Sequence, residues 1–171
     1  MHITKDNIGE FIRGTTIDCS DKGITRLEYI PDGITHLFCS NNKLTELPKL
    51  PDSLVELWCE YNKLTELPKL PESLTNLFCS NNKLTELPKL PDGLISLWCE
   101  YNKLTELPKL PESLRRLNCQ NNQLTSIPKL PDGLISLYCR NNNLPYEITL
   151  DNFKEHNTLL KRKNILSKIC G

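Results

Sequence analysis

The chain has 171 residues, and its 21 Lys plus Arg balance 21 Asp plus Glu. That length fits one domain, and the balance leaves no global field toward nucleic acid or an anionic membrane. The longest apolar runs are far too short for a membrane span, and the opening Met-His-Ile-Thr-Lys lacks the apolar stretch of a secretory signal.

Residues 1–13 form an N-terminal cap. Within it, Thr4 to Arg13 reads as a short helix with Ile8, Phe11 and Ile12 on one side, placed to cover an open hydrophobic end. Residues 14–148 then repeat with a period of 20. Cys19, Cys39, Cys59, Cys79, Cys99, Cys119 and Cys139 keep the beat, as do Pro51, Pro71, Pro91, Pro111 and Pro131. About seven units follow one another, with the pattern LxxLxCxxNxLxxLPxLPxx.

In the unit that starts at Leu54, Leu57 and Cys59 are two apart and share one strand face, while Trp58 points to the other. Leu64, Leu67 and Leu70 follow at intervals of three. Pro68 and Pro71 forbid a helix there and favour an extended, polyproline-like return. Each unit is a strand, a turn and an extended segment, and it buries its apolar side chains only when stacked on neighbours. The Asn column from Asn42 to Asn142 fits a structural role, since a buried amide satisfies the backbone where the chain leaves the strand.

The cysteines stack on adjacent parallel strands, about 4.8 Å apart. Their Cβ vectors run side by side, which disfavours disulfides. One column does not wrap a tetrahedral metal ion either. They are expected as small buried hydrophobes, all eight free, in an intracellular, reducing compartment.

Residues 149–171 form a C-terminal helical cap, with a helix over 151–169. Asp151 is its expected N-cap. Phe153, Leu159, Leu160, Leu166 and Ile169 give it an apolar side, and Lys161, Arg162, Lys163 and Lys168 lie toward its C-terminal end.

The repeats resemble the leucine-rich repeat family over about residues 14–148. The 20-residue length and the Leu-Pro-Lys-Leu-Pro return are similar to the bacterial effector subtype, the YopM and IpaH class. Cys in the strand and the tail Tyr-Glu-Ile-Thr-Leu-Asp-Asn-Phe also resemble leucine-rich repeat proteins of amoeba-infecting giant DNA viruses. The resemblance implies a leucine-rich repeat solenoid, nominally of the α/β class. It has a parallel β-sheet on the concave face, an extended convex side, a short N-terminal helix and a C-terminal capping helix. For a viral or effector protein it implies the host cytoplasm. The ubiquitin-ligase domain of the IpaH class has no room here.

The outward strand positions form columns. One reads Asp18, Phe38, Trp58, Phe78, Trp98, Asn118, Tyr138, and the turn column beside it includes Tyr61 and Tyr101. Phe38, Trp58, Tyr61, Phe78, Trp98, Tyr101 and Tyr138 are therefore the candidate partner-binding residues. Three readings of the row stand: a protein or peptide ligand, a sugar chain, or rings that stack only on one another. Residues 38–77 and 78–117 differ at five positions, Ser53/Gly93, Val55/Ile95, Glu56/Ser96, Thr75/Arg115 and Asn76/Arg116. A surface copied this closely suits an extended partner or a spacer.

No catalytic constellation, metal site or cofactor motif appears. Glu60 and Glu100 recur two strands apart, about 10 Å, too far to share a proton, and no burial is expected to raise either pKa. The expected function is a non-enzymatic interaction module with a protein or peptide partner on its concave face and no nucleic acid or membrane partner. A structural or self-associating solenoid is the alternative.

Overall fold

Seven three-residue strands carry the array: β3 (Thr16–Asp18), β5 (His36–Phe38), β6 (Glu56–Trp58), β7 (Asn76–Phe78), β8 (Ser96–Trp98), β9 (Arg116–Asn118) and β10 (Ser136–Tyr138). They pair in parallel, each with the next, in a register that sets Leu37 beside Leu57 and Leu57 beside Leu77. The computed structural model describes residues 1–169. Cys170 and Gly171 lie outside the described residues, and so do the side chains at 163, 164 and 166–169. The parts expected of Lys163, Leu166, Lys168, Ile169 and the eighth cysteine fall there.

The core follows from the period. The seven array cysteines are buried, six of them at 0 % exposure, and Leu57, Leu64 and Leu74 are also at 0 %. The same places repeat along the stack to form one continuous dry interior. On the return side no helix forms. After each Leu-Pro-Lys-Leu, or Ile-Pro-Lys-Leu at 127–130, the carbonyl of Pro51, Pro71, Pro91, Pro111 or Pro131 accepts the N–H three residues on and turns the chain toward the next strand.

The asparagine column does what a buried amide must do. Asn62 Nδ2 donates to the carbonyls of Cys39, Cys59 and Glu60, at 3.0, 3.2 and 3.2 Å, while its Oδ1 accepts Leu44 N–H at 2.9 Å. One side chain thus ties two neighbouring repeats where both leave the sheet. Asn42, Asn82, Asn102, Asn122 and Asn142 repeat this pattern.

The N-terminal segment departs from expectation. Thr4 to Arg13 is not one helix. It holds a single 3-10 turn, Ile8–Phe11, between two strand fragments, β1 (His2–Ile3) and β2 (Ile12–Arg13). A helix this short gains too few hydrogen bonds to offset its nucleation. The chain instead uses β2 to cover the open edge of β3. β2 pairs antiparallel with β3, and Gly14, at φ 61°, closes the two-residue hairpin between them. β1 pairs in parallel with β4 (Arg26–Leu27) on the return side. Ile8 is nonetheless buried, and Phe11 and Ile12 pack on the core as expected.

The C-terminal helix, α1, spans Phe153–Ile169. Asp151 does not cap it. Asn152 stands immediately before the helix, and its carbonyl accepts the N–H groups of Glu155 and His156. The inner side of α1 also differs from the apolar stripe expected. Phe153, His156 and Asn157 are buried, while Leu159 is 41 % exposed. The reason is the unpaired backbone of the last return segment. Asn157 accepts Leu130 N–H at 2.9 Å and donates to Leu130 O at 2.7 Å, an amide doing the work of a missing next repeat. His156 places Nε2 3.0 Å from Ile127 O and Nδ1 2.8 Å from the Tyr146 hydroxyl.

Candidate binding face

Alternation along each strand turns Leu and Cys inward, so the residues between them stand on the opposite sheet face. Trp58 and Trp98 are 41 % and 36 % exposed, whereas Cys59 and Cys99 are at 0 %. Phe38 and Phe78 are half-buried. Register then sets the rings in a row. Ring centroids are 5.2 Å apart for Phe38–Trp58, 5.2 Å for Trp58–Phe78 and 5.9 Å for Phe78–Trp98, with planes inclined by 55–63°. Such tilted pairs contribute about 0.5–1.5 kcal/mol each beyond their burial. The rings therefore pack on one another and still leave their outer edges in water.

Tyr138 does not join this row. Asn118 lies between it and Trp98 in register. Asn118, expected outside, is buried at 6 %, and its Oδ1 faces Gln120 N–H at 3.4 Å. Ser96, on the same strand face as Trp98, is also buried, at 4 %. Tyr138 stands alone at 54 % exposure.

Tyr61 and Tyr101 flank the row at the turn. Both sit in the left-handed region, at φ 53° and 55°, and both are more than half exposed. The equivalent positions Asn41, Asn81, Asn121 and Asn141 adopt the same φ. Asn tolerates that conformation, but a bulky side chain is strained in it. A tyrosine held there, with its ring in solvent, gains little for the fold. Sparsely populated backbone conformations of this kind cluster at functional sites.

The carboxylates on this face are more deeply set than the sequence suggests. Glu60 is half-buried, and burial raises its carboxyl above the ordinary glutamate value; the hydrogen bond from Ser40, at 2.8 Å, opposes that shift. This corrects the expectation that no burial acts on it. The equivalent pair in the next copy behaves differently. Ser80 Oγ and Glu100 Oε2 are both buried without a hydrogen-bond partner among the described residues. Glu56 was not among the candidate residues, yet it braces the row. It accepts the Trp58 indole N–H at 2.8 Å and lies 3.7 Å from His36 Nε2. The signal was present, since residues 56 and 58 are two apart on one strand and share a face.

The thiols are inert by placement. Burial drives every array cysteine above its ordinary pKa, and Cys19 is pushed up to about 12, with the nearby Asp18 adding to the effect. The seven array cysteines are free. Among the described residues no group of three or more His, Cys, Asp or Glu is placed to hold a metal ion.

Comparison with known proteins agrees with this geometry. The Leucine Rich Repeat family profile matches residues 113–134. YopM from Yersinia enterocolitica WA-314 is 33 % identical, with a TM-score of 0.64, over 79 % of this chain and 35 % of that one. A Shigella effector LRR domain is 33 % identical, with a TM-score of 0.72, over 80 % of this chain and 62 % of that one. The functional domain of InlJ from Listeria monocytogenes, which includes a cysteine ladder, is 31 % identical, with a TM-score of 0.66, over 81 % and 32 %. This chain thus spans from a third to three fifths of the length of these structures. No curated protein matches it.

Proposed function

The chain is a leucine-rich repeat protein resembling the bacterial effector subtype, and from that premise we propose that it is a non-enzymatic module whose aromatic sheet face, the concave one, binds a protein or peptide. The observation that carries this reading is the exposed pair Trp58 and Trp98, flanked by Tyr61 and Tyr101 in strained backbone. Aromatic side chains dominate interface energies, and no fold requirement calls for tyrosine at those turns. Tyr138 extends the same face beyond the break at Asn118. The buried, free thiols support a reducing compartment. With the effector resemblance, that favours a partner inside a host cell.

A second reading rests on the ring contacts themselves. The row is self-packed, so it also fits a scaffold without a ligand. Affinity purification from host cells with the protein and with a Trp58→Ser, Trp98→Ser variant separates the two. Loss of a specific partner by a variant that stays folded supports binding. A variant that changes only in stability or oligomer size, and keeps the same partners, overturns it.

A further inference from the structure

Trp58, Glu60 and Tyr61 recur as Trp98, Glu100 and Tyr101, two strands further on. Two strand spacings make about 9.6 Å. Each copy combines two exposed aromatic faces with a carboxylate, which is the chemistry that holds a cation. On this face, positions 18–101 carry Asp18, Asp21, Glu56, Glu60 and Glu100 and no Lys or Arg in the strand and turn columns; the arginines begin at Arg116. Lys43, Lys63, Lys83 and Lys103 lie past the asparagine column, exposed at the rim, and Lys22 stands exposed in that column in the first repeat.

We propose that this face binds a peptide in polyproline II conformation that carries Lys or Arg at every third residue, with one cation in each Trp-Glu-Tyr unit. The inference rests on the binding reading above and names its ligand. Polyproline II repeats every three residues, about 9.3 Å, and so matches two strand spacings. A β-strand ligand repeats at about 6.7 Å and falls out of step. A helix with cations seven residues apart advances about 10.5 Å and overruns by about 1 Å. Polyproline segments already dock in aromatic-lined grooves elsewhere, and their stiffness lowers the ordering cost of binding.

The carboxylates supply the second observation. Glu60 is shifted by burial toward its neutral form, so an arriving cation stabilises its charged form. Ser80 Oγ and Glu100 Oε2 are buried with no hydrogen-bond partner among the described residues, so the Glu100 carboxylate keeps an unspent acceptor that a guanidinium or ammonium satisfies once the side chain turns outward.

Both tryptophans of the chain belong to the two units, so intrinsic fluorescence reports binding directly. A synthetic peptide of repeating Pro-Pro-Arg is titrated into the full chain. Controls are repeating Pro-Pro-Glu, repeating Pro-Arg, and a helical peptide with Arg every seventh residue. Saturable binding of Pro-Pro-Arg is expected, weakened at least tenfold by Glu60→Gln with Glu100→Gln and by raised salt, with each control at least tenfold weaker. Circular dichroism verifies that the Gln variant is folded. Equal binding of any control, an unaffected Gln variant, or no binding of Pro-Pro-Arg overturns the inference. The last result, joined to partner loss by the Trp58→Ser, Trp98→Ser variant, leaves the broader binding reading standing. Partner retention by that variant removes the broader reading whatever the peptides do.

Discussion

The strands from β5 to β8 and the strands β9 and β10 share one backbone and differ in chemistry. In the first group four rings touch in sequence and the charged residues are acidic, with His36 beside Glu56. In the second, Asn118 interrupts the row, Tyr138 stands alone, and Arg116 and Arg140 supply the charge. The asparagine column runs unbroken through both. The fold is thus carried by the Leu, Cys and Asn positions, while the outward positions vary without disturbing it. A repeat array separates frame from surface in this way because each side chain answers to one column only.

That separation is open to test. The largest effect belongs to the frame. Asn62→Leu leaves the N–H of Leu44 without its partner and removes one donor each from the carbonyls of Cys39, Cys59 and Glu60, which keep Asn42, Asn82 and the Asn41 N–H. A cost of about 3 kcal/mol is expected, from about 1–3 kcal/mol for the unpaired N–H and about 0.5–1.5 kcal/mol for each of the other bonds lost. Asn122→Leu is expected to cost the same, since its contacts are the same. Urea midpoints of the two variants measure this. A large inequality would mean that the two groups of strands do not share one frame.

The next effect separates the surfaces. Trp58→Ser removes two ring contacts and the bond to Glu56, so a loss of about 1–3 kcal/mol is expected. Tyr138→Ser removes no ring contact and is expected to cost under about 0.5 kcal/mol. Thermal unfolding of both variants checks the contrast, and equal losses would refute the isolation of Tyr138.

The thiol column gives a pH dependence. Burial holds the thiols protonated in the folded chain, while unfolded thiols ionise above their ordinary value of 9.0. Above that pH the folded state binds more protons than the unfolded one, so stability falls as pH rises. For Cys19 the window closes near pH 12. Each buried thiol contributes about 1.4 kcal/mol per pH unit once its unfolded form is ionised. Cys59→Ala should cost stability at neutral pH and flatten the decline above pH 9 relative to the parent chain. Urea midpoints across that range test it. An unchanged slope would mean that Cys59 ionises as readily folded as unfolded.

The frame was legible in the sequence because it is periodic. Cys, Leu, Asn and Pro each recur every 20 residues, and one unit read correctly gives the others. The same periodicity exposed the ring row. The ends were harder to read. Residues 4–13 carry helix-like spacing, but the open edge of β3 takes Ile12 and Arg13 into the sheet, a demand from outside the segment. His156 and Asn157 are polar residues on a buried side, and only the unpaired backbone of Ile127 and Leu130 explains them. The depth of Glu60 was hidden for a related reason. A face position has no burial signal in its own repeat, because its cover comes from the neighbours.

A stabilising exchange bears most directly on why the two groups of strands differ. If Tyr61 is held for a ligand, the fold is better off without it. Tyr61→Asn restores a residue suited to φ 53° and is expected to stabilise by about 0.5–1 kcal/mol, below the 1–2 kcal/mol that the left-handed conformation costs an ordinary residue. The reverse exchange, Asn141→Tyr at φ 54°, should destabilise by a similar amount; it also removes the 2.9 Å bond between Asn141 and Asn121. Denaturant titration of both variants gives the two signs. A Tyr61→Asn chain that becomes less stable would show that the ring serves the fold, and the argument from strain to binding would then fail at its first step.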